Sequence, residues 1–337
     1  MSDKLEIRTQ FREDCLVCRS KGVSLYKNLH DQLFDALGKW DLTSCPNCGL
    51  VWLNPCPIAE DVGKLYSAYY THQNIKRGFL GNLSERLKQG VHKSMGYKSN
   101  LSSLSFGNLI PFFRSYTALD ILNVKANWGK RLLDVGSGNG EYLNIMRNYG
   151  WEVEGLEIDN KAADFARVKY NLKVHTKSLF ESGIPSESFD VITLNHVIEH
   201  VYEAEQLLAE CKRILKPGGR VVLLTPNRES LGFKLFGKYW RGLEIPRHMS
   251  VFSVSNMGIL AQRVGFKSET LTSTARISRY LYSTSVHIRQ GREKIGGGGN
   301  RGYWLALKSY VFQLVEELVM IFNKKAGEEI FFVGVKN

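Results

Sequence analysis

The sequence has no uninterrupted apolar run near the ~20 residues that a membrane-spanning helix needs. Its charged start, MSDKLEIRTQFRED, has no apolar stretch of signal-peptide type. Both absences lead to the expectation of a cytoplasmic protein. Acidic residues are under-supplied, 33 Asp and Glu against 45 Lys and Arg, which gives a net charge of +12. Cysteine is scarce, with six in 337 residues. That is too few for a disulfide scaffold, and in a reducing compartment such residues serve metals or catalysis. What remains is ordinary for a globular chain, 43% hydrophobic and 23% charged. The length suits two domains.

The positive charge is unevenly spread. Residues 132–227 carry 10 basic and 14 acidic side chains, and the remainder carries 35 and 19. A mildly acidic centre between basic flanks suits an anionic substrate, an anionic membrane surface or nucleic acid.

Four of the six cysteines fall in two knuckles, Cys15-x-x-Cys18 and Cys45-x-x-Cys48, with 26 residues between them. Each knuckle puts two thiolates on a tight turn, and four thiolates close a tetrahedral zinc site with no position left for substrate. The metal expected at Cys15, Cys18, Cys45 and Cys48 is therefore structural Zn2+ in a small zinc ribbon over 1–70. Cys56 lies near enough in sequence to compete as a ligand.

The chain is organised around residues 131–143, RLLDVGSGNGEYL. A short apolar run (Leu132, Leu133, Val135) reads as a buried strand. Glycines follow at 136, 138 and 140, and then a helical pattern. Glycine permits positive φ and close approach to a ligand, and the unpaired N–H groups of a helix start face that ligand. The spacing lacks the GxGxxG of dinucleotide enzymes. Asp134, two residues before the first glycine, would repel a pyrophosphate but suits a ligand bearing an ammonium or sulfonium group.

Here the chain resembles the class I S-adenosylmethionine (SAM) methyltransferases, whose first motif is D-x-G-x-G-x-G. Three later segments fit the same family in order and spacing. Gly155-x-Glu157 at the tip of a second strand matches its G-x-D/E pattern, SFDVITLNHVIEHV (188–201) its fourth strand and loop, and LKPGGRVVLLTPN (215–227) its fifth strand. The resemblance implies an α/β fold, a Rossmann-like seven-stranded methyltransferase sheet with a small N-terminal zinc ribbon, closed by a last strand over 329–336. It implies SAM contacts from Asp134, Gly136, Ser137, Gly138 and Gly140. Glu157, beside Ile158, would bind the ribose hydroxyls, Ser178 and Leu179 the adenine, and Asn195 would lie at the tip of strand four. The methyltransferase domain is expected over 111–337 after a basic connector (71–110) that holds a helix at 83–92. It carries an aromatic and basic insertion at 228–253 that suits a lipid chain, a phosphate or a membrane surface, and a flexible segment at 286–301. Tyr66, Tyr69 and Tyr70 could form a lid. The 303–323 stretch reads as an amphipathic helix rather than a span.

Methyl transfer to a hydroxyl needs a base, and histidine suits neutral pH. His196, His200 and His248 lie on loops expected near the methyl group. His248 is the first candidate and His200 the second. The zinc-ribbon combination is similar to bacterial sugar C-methyltransferases, whose Tyr-x-Glu-His element aligns with 245–248, where only the histidine matches. The core also resembles the O-methyltransferases of quinone synthesis. The function expected is SAM-dependent methylation of an anionic sugar or lipid-linked acceptor, for example in cell-surface polysaccharide assembly. Peripheral membrane contact is expected through 228–253 or 303–323. An RNA methyltransferase and a non-catalytic SAM-binding scaffold are the alternatives.

Overall fold

The computed structural model describes residues 7–34, 36–66, 81–98, 116–291 and 302–337. Tyr69 and Tyr70, most of the basic connector and residues 292–301 lie outside the described residues. The connector helix runs over Gly81–Ser94. Residues 286–289, expected to be flexible, close the Ser278–Arg289 helix instead.

Among the described residues, thirteen strands form three sheets. The N-terminal ones are β1 Thr9–Gln10, β2 Val23–Leu29, β3 Trp40–Ser44, β4 Val51–Leu53 and β5 Cys56–Pro57. The rest are β6 Arg131–Val135, β7 Glu152–Leu156, β8 Val174–His175, β9 Phe189–Asn195, β10 Leu215–Pro226, β11 Ser250–Val251, β12 Phe266–Thr274 and β13 Glu329–Lys336. The seven-stranded sheet has the order β12-β13-β10-β9-β6-β7-β8, with the closing strand inserted between β10 and β12. β6 pairs in parallel with both β7 and β9, and β7 with β8. Buried on both faces, β6 is apolar at Leu132, Leu133 and Val135 and carries one buried charge, Asp134. Parallel pairing also puts the C-terminal ends of β6 to β9 on one edge of the sheet, where open α/β sheets bind ligands.

The chain divides into two compact units. One comprises Tyr70–Asn195, Ala209–Leu223 and Val333–Asn337. It contains β6 to β9 and the glycine turn. The other comprises Met1–Tyr69, His196–Leu208 and Leu224–Phe332. In it a four-stranded sheet has the order β11-β4-β3-β2. Its edge strand β11 comes from the 228–253 insertion and sets Ser250 opposite Trp52. The insertion also sends Trp240, Leu243 and Ile245 into one core with Trp40, Leu42 and Leu53. Trp240 and Phe236 are buried, so these two aromatics hold the fold together and are not available to a lipid chain. The sequence gives no sign of this pairing, because β11 is two residues long and its partners lie about 200 positions earlier.

Candidate functional site

The glycine turn is built as the spacing requires. Gly136, Gly138 and Gly140 have φ of 72°, 52° and 76°. The Gly136 and Ser137 amides both donate to the Leu156 carbonyl, at 2.7 and 3.0 Å, which pins the turn to the end of β7. Gly140 caps the Glu141–Asn148 helix from the left-handed region. A methyl group at Gly140 would lie 2.7 Å from Ala166 Cβ and 2.8 Å from Leu172 Cδ1, whereas the space above Gly138 is open. Gly140 thus serves packing, and Gly138 leaves room for a ligand. Gly140→Ala is therefore expected to lower the melting temperature by several degrees. Gly138→Ala, with only left-handed strain of about 1 kcal/mol, is expected to weaken SAM binding at nearly unchanged stability. Thermal unfolding and SAM titration of both variants test this, and equal losses of stability would contradict it.

The Glu157 carboxylate accepts from the Gly138 amide at 2.8 Å and, through its other oxygen, from the Asp159 amide at 2.8 Å. Each oxygen keeps a lone pair for a further donor, which fits two ribose hydroxyls. Asp159 itself caps the Asn160–Tyr170 helix. Asp134 is buried and accepts from the Thr193 hydroxyl at 2.6 Å. Burial above all, with some help from Glu157, pushes its pKa up to about 7 against the lowering effect of Thr193. A cation nearby would reverse that shift. The Ser137 hydroxyl is buried and has no hydrogen-bond partner among the described residues. These features fit SAM.

The other cofactor candidates follow the same sheet edge. Ile158 is exposed and Leu179 buried, and Asn195 is exposed at the tip of β9. The Ser178 hydroxyl donates to Glu181 at 2.6 Å.

The second unit gathers the three histidines around Glu199. His196 Nδ1 lies 2.9 Å from Glu199 Oε1, and its Nε2 lies 2.8 Å from Glu329 Oε1. Thr225 donates to the other Glu199 oxygen at 2.9 Å, and Arg276 closes on Glu329 at 3.2 Å. Burial works against a charged His196 ring, but the two carboxylates outweigh it and raise its pKa to about 10. A ring held this way is protonated at neutral pH, whereas a general base must be free to accept a proton. Burial and the neighbouring His200 lower the pKa of His248 to about 4. His248 is 4% exposed, and its Nδ1 lies 2.7 Å from the Gly242 carbonyl. The half-buried His200 sets its Nδ1 3.1 Å from the Arg247 carbonyl, and its ring meets that of His248 edge-on at 4.7 Å. A carbonyl accepts only from N–H, so each ring has its Nδ1 protonated.

Two carboxylates stand where the aligned 245–248 run has none. Glu244 Oε2 lies 3.6 Å from His248 Nε2, and Glu199 faces both rings. The loop is fixed by Arg247, which is fully buried, bonded to Asp31 at 2.8 and 3.0 Å and to Glu244 at 3.1 Å. Glu199, His200 and His248 also offer ligand atoms within 4.8 Å of one another and could hold a cation. The His196 imidazolium on Glu199 offsets the charge that would attract one.

The four knuckle cysteines converge. Cys15 and Cys48 sulfurs are 3.5 Å apart, those of Cys18 and Cys45 3.2 Å, and all four lie within 4.8 Å of one another. A tetrahedral zinc with bonds of ~2.3 Å sets sulfurs ~3.8 Å apart, so the donor set fits. Cys56 instead turns to Met249, with the sulfurs 3.3 Å apart, and is not a ligand. A cavity of about 490 Å3 is lined by Tyr26, Arg228, Glu229, Phe233, Lys234 and Lys325, among others. Within these elements, Arg228 Nε and one Glu229 oxygen are buried without a hydrogen-bond partner among the described residues.

Residues 113–271 match the family described as a methyltransferase domain. This stretch is a methyltransferase domain. A probable S-adenosylmethionine-dependent methyltransferase of Mycolicibacterium smegmatis is 33% identical over 101 residues, 30% of this chain and 39% of the relative. Ubiquinone biosynthesis O-methyltransferase of Thiobacillus denitrificans is 29% identical over 157 residues, 43% of this chain and 67% of the relative. The enzyme of that name from Paraburkholderia phymatum is 31% identical over 127 residues, 35% of this chain and 55% of the relative. The match thus spans less than two thirds of the first and third of these relatives. Among solved structures, the [4+2]-cyclase SpnF has a TM-score of 0.49 at 15% identity, covering 83% of this chain and 97% of that one.

Within the methyltransferase domain, the glycine corner and Glu157 were legible as motifs. Glu244 and the Asp31–Arg247 pair, held at the edges of ordinary loops, carry no motif. Their only signal in the sequence is the charge density of RGLEIPRH.

Proposed function

We propose that this chain transfers a methyl group from SAM to a small-molecule hydroxyl acceptor, an anionic sugar or lipid-linked intermediate of the kind used in cell-surface polysaccharide assembly. The observation that supports it best is the Gly138–Glu157 bond inside a methyltransferase domain, which sets a ribose acceptor against an open glycine face. Relatives named for O-methylation favour oxygen over carbon as the methylated atom.

When bound, SAM supplies an electrophilic methyl group on a sulfonium. Glu157 accepts the ribose hydroxyls, and ionised Asp134 favours the cationic end. We assign the base to His200 rather than to the more deeply buried His248. Its Nε2 takes the acceptor proton, Arg247 fixes its tautomer, and Glu199 stabilises the imidazolium formed. The cavity beside Arg228 receives the anionic group, with Lys234 and Lys325 at its edge and Glu229 accepting from a hydroxyl. The four cysteines hold zinc as a structural clamp. Purified protein is expected to contain one zinc per chain, and Cys45→Ser to lose it together with much of the thermal stability. Metal analysis and melting curves check this, and a metal-free chain of unchanged stability would refute the clamp.

The functional test is incubation of the protein with SAM and small-molecule extracts, read by mass spectrometry. A gain of one CH2 on an anionic metabolite is expected. Methylation of RNA with no small-molecule product would overturn the proposal.

A further inference from the structure

The Tyr303–Phe322 helix is inside out. Its buried positions are Ser309, Phe312 and Glu316, one face at helical spacing. Glu316 accepts from the Ser278 hydroxyl, and Phe312 packs on Tyr282 with ring centres 4.8 Å apart. Burial, with Glu328 nearby, raises the pKa of Glu316 to about 10, so this face carries a neutral acid. The opposite face is apolar from end to end. Trp304, Leu307, Val311, Leu314, Leu318 and Phe322 are all exposed, Trp304 at 70% and Phe322 at 92%. Side chains beside that line, such as Tyr310 and Ile321, are exposed and apolar too. A contiguous patch of this kind on a soluble surface marks an interaction site.

The charges around it share one sign. Lys308, Lys324 and Lys325 are exposed, and the Arg279 guanidinium stacks 4.3 Å from the Tyr310 ring. Of the two acids on the helix, Glu316 is buried and Glu317 is half-buried, accepting from Gln313 at 2.9 Å. A coiled-coil partner needs a narrow seam between charged rails, and here the rails are themselves apolar. A two-fold contact with a second copy would set lysines against lysines. Among the described residues no helix is long and apolar enough to cross a membrane, so the helix would lie in the surface plane. A broad apolar face, flanking cations and terminal aromatics are the features of an interfacial helix.

We infer that this helix docks the protein onto an anionic lipid surface, its apolar face in the acyl boundary and Lys308, Lys324 and Arg279 on the headgroups. The test is co-sedimentation of the full chain with phosphatidylcholine vesicles, with and without added phosphatidylglycerol. Wild-type protein is expected to bind the anionic vesicles, more weakly as salt rises. Leu314→Glu/Leu318→Glu is expected to bind at least ~10-fold less, because each buried apolar side chain contributes ~1.5–3 kcal/mol. That variant should keep its melting temperature and SAM affinity, since both side chains are exposed. Equal vesicle binding by wild type and variant would overturn the inference. So would a wild-type dimer that ignores vesicles and dissociates in the variant.

Discussion

His200→Ala is expected to slow single-turnover methyl transfer by about 10²–10⁴-fold, the range for removal of a positioned base. SAM affinity should stay nearly unchanged, because the glycine corner and Glu157 bind independently of that ring. The reasoning starts from tautomers. Nδ1 of His200 is committed to the Arg247 carbonyl at 3.1 Å, so the proposed proton transfer goes to Nε2. His196 cannot substitute, since Glu199 and Glu329 keep it protonated to about pH 10. His248 is a poorer base, lowered to about 4 by burial and by His200. His248→Ala should therefore cost less than His200→Ala, and added imidazole should restore part of the rate to the His200 variant alone. Quenched single-turnover assays at saturating SAM make the comparison. Full activity in His200→Ala would remove that residue from the mechanism.

The second large effect is the pH dependence of SAM affinity. Asp134, raised to about 7 chiefly by burial, gains a proton as pH falls through neutrality. A sulfonium ligand favours the ionised form, so binding it at low pH requires loss of that proton. One pH unit then corresponds to 1.36 kcal/mol. The dissociation constant for SAM should rise about tenfold per unit below pH 7, or about 100-fold at pH 5. S-adenosylhomocysteine, which has no sulfonium, should show a much flatter profile. Asp134→Asn should flatten the SAM profile as well. Parallel profiles for the two ligands would show that Asp134 does not sense the sulfonium charge.

These two expectations differ in how far the sequence alone could have produced them. The cofactor corner is local. Strand, glycines, helix start and Glu157 fall within 27 residues, and each has a spacing fixed by backbone geometry. The structure accordingly returns β6, β7 and β9 where the pattern puts them. The histidine cluster is assembled from distant pieces. His196, His200 and His248 could be named as a set, but which of them is charged depends on Glu329, 133 positions away, and on Glu244. Neither contact has a periodicity or motif to announce it. The same holds for β11, whose partner strand β4 lies in the cysteine region. The aromatic insertion is divided for a related reason. Aromatics beside basic residues read equally as a ligand surface or as a core with a charged rim, and Trp240 belongs to the core. The apolar face of the last helix was visible in the sequence. Its exposure was not, because an apolar stripe is normally turned inward.

The most direct measurement is calorimetric titration of metal-replete protein with SAM and with S-adenosylhomocysteine. The account predicts one site per chain for each ligand and loss of both heats in Glu157→Ala, whose carboxylate joins the glycine turn to the ribose. The absence of heat for either nucleoside in the unaltered chain would contradict it.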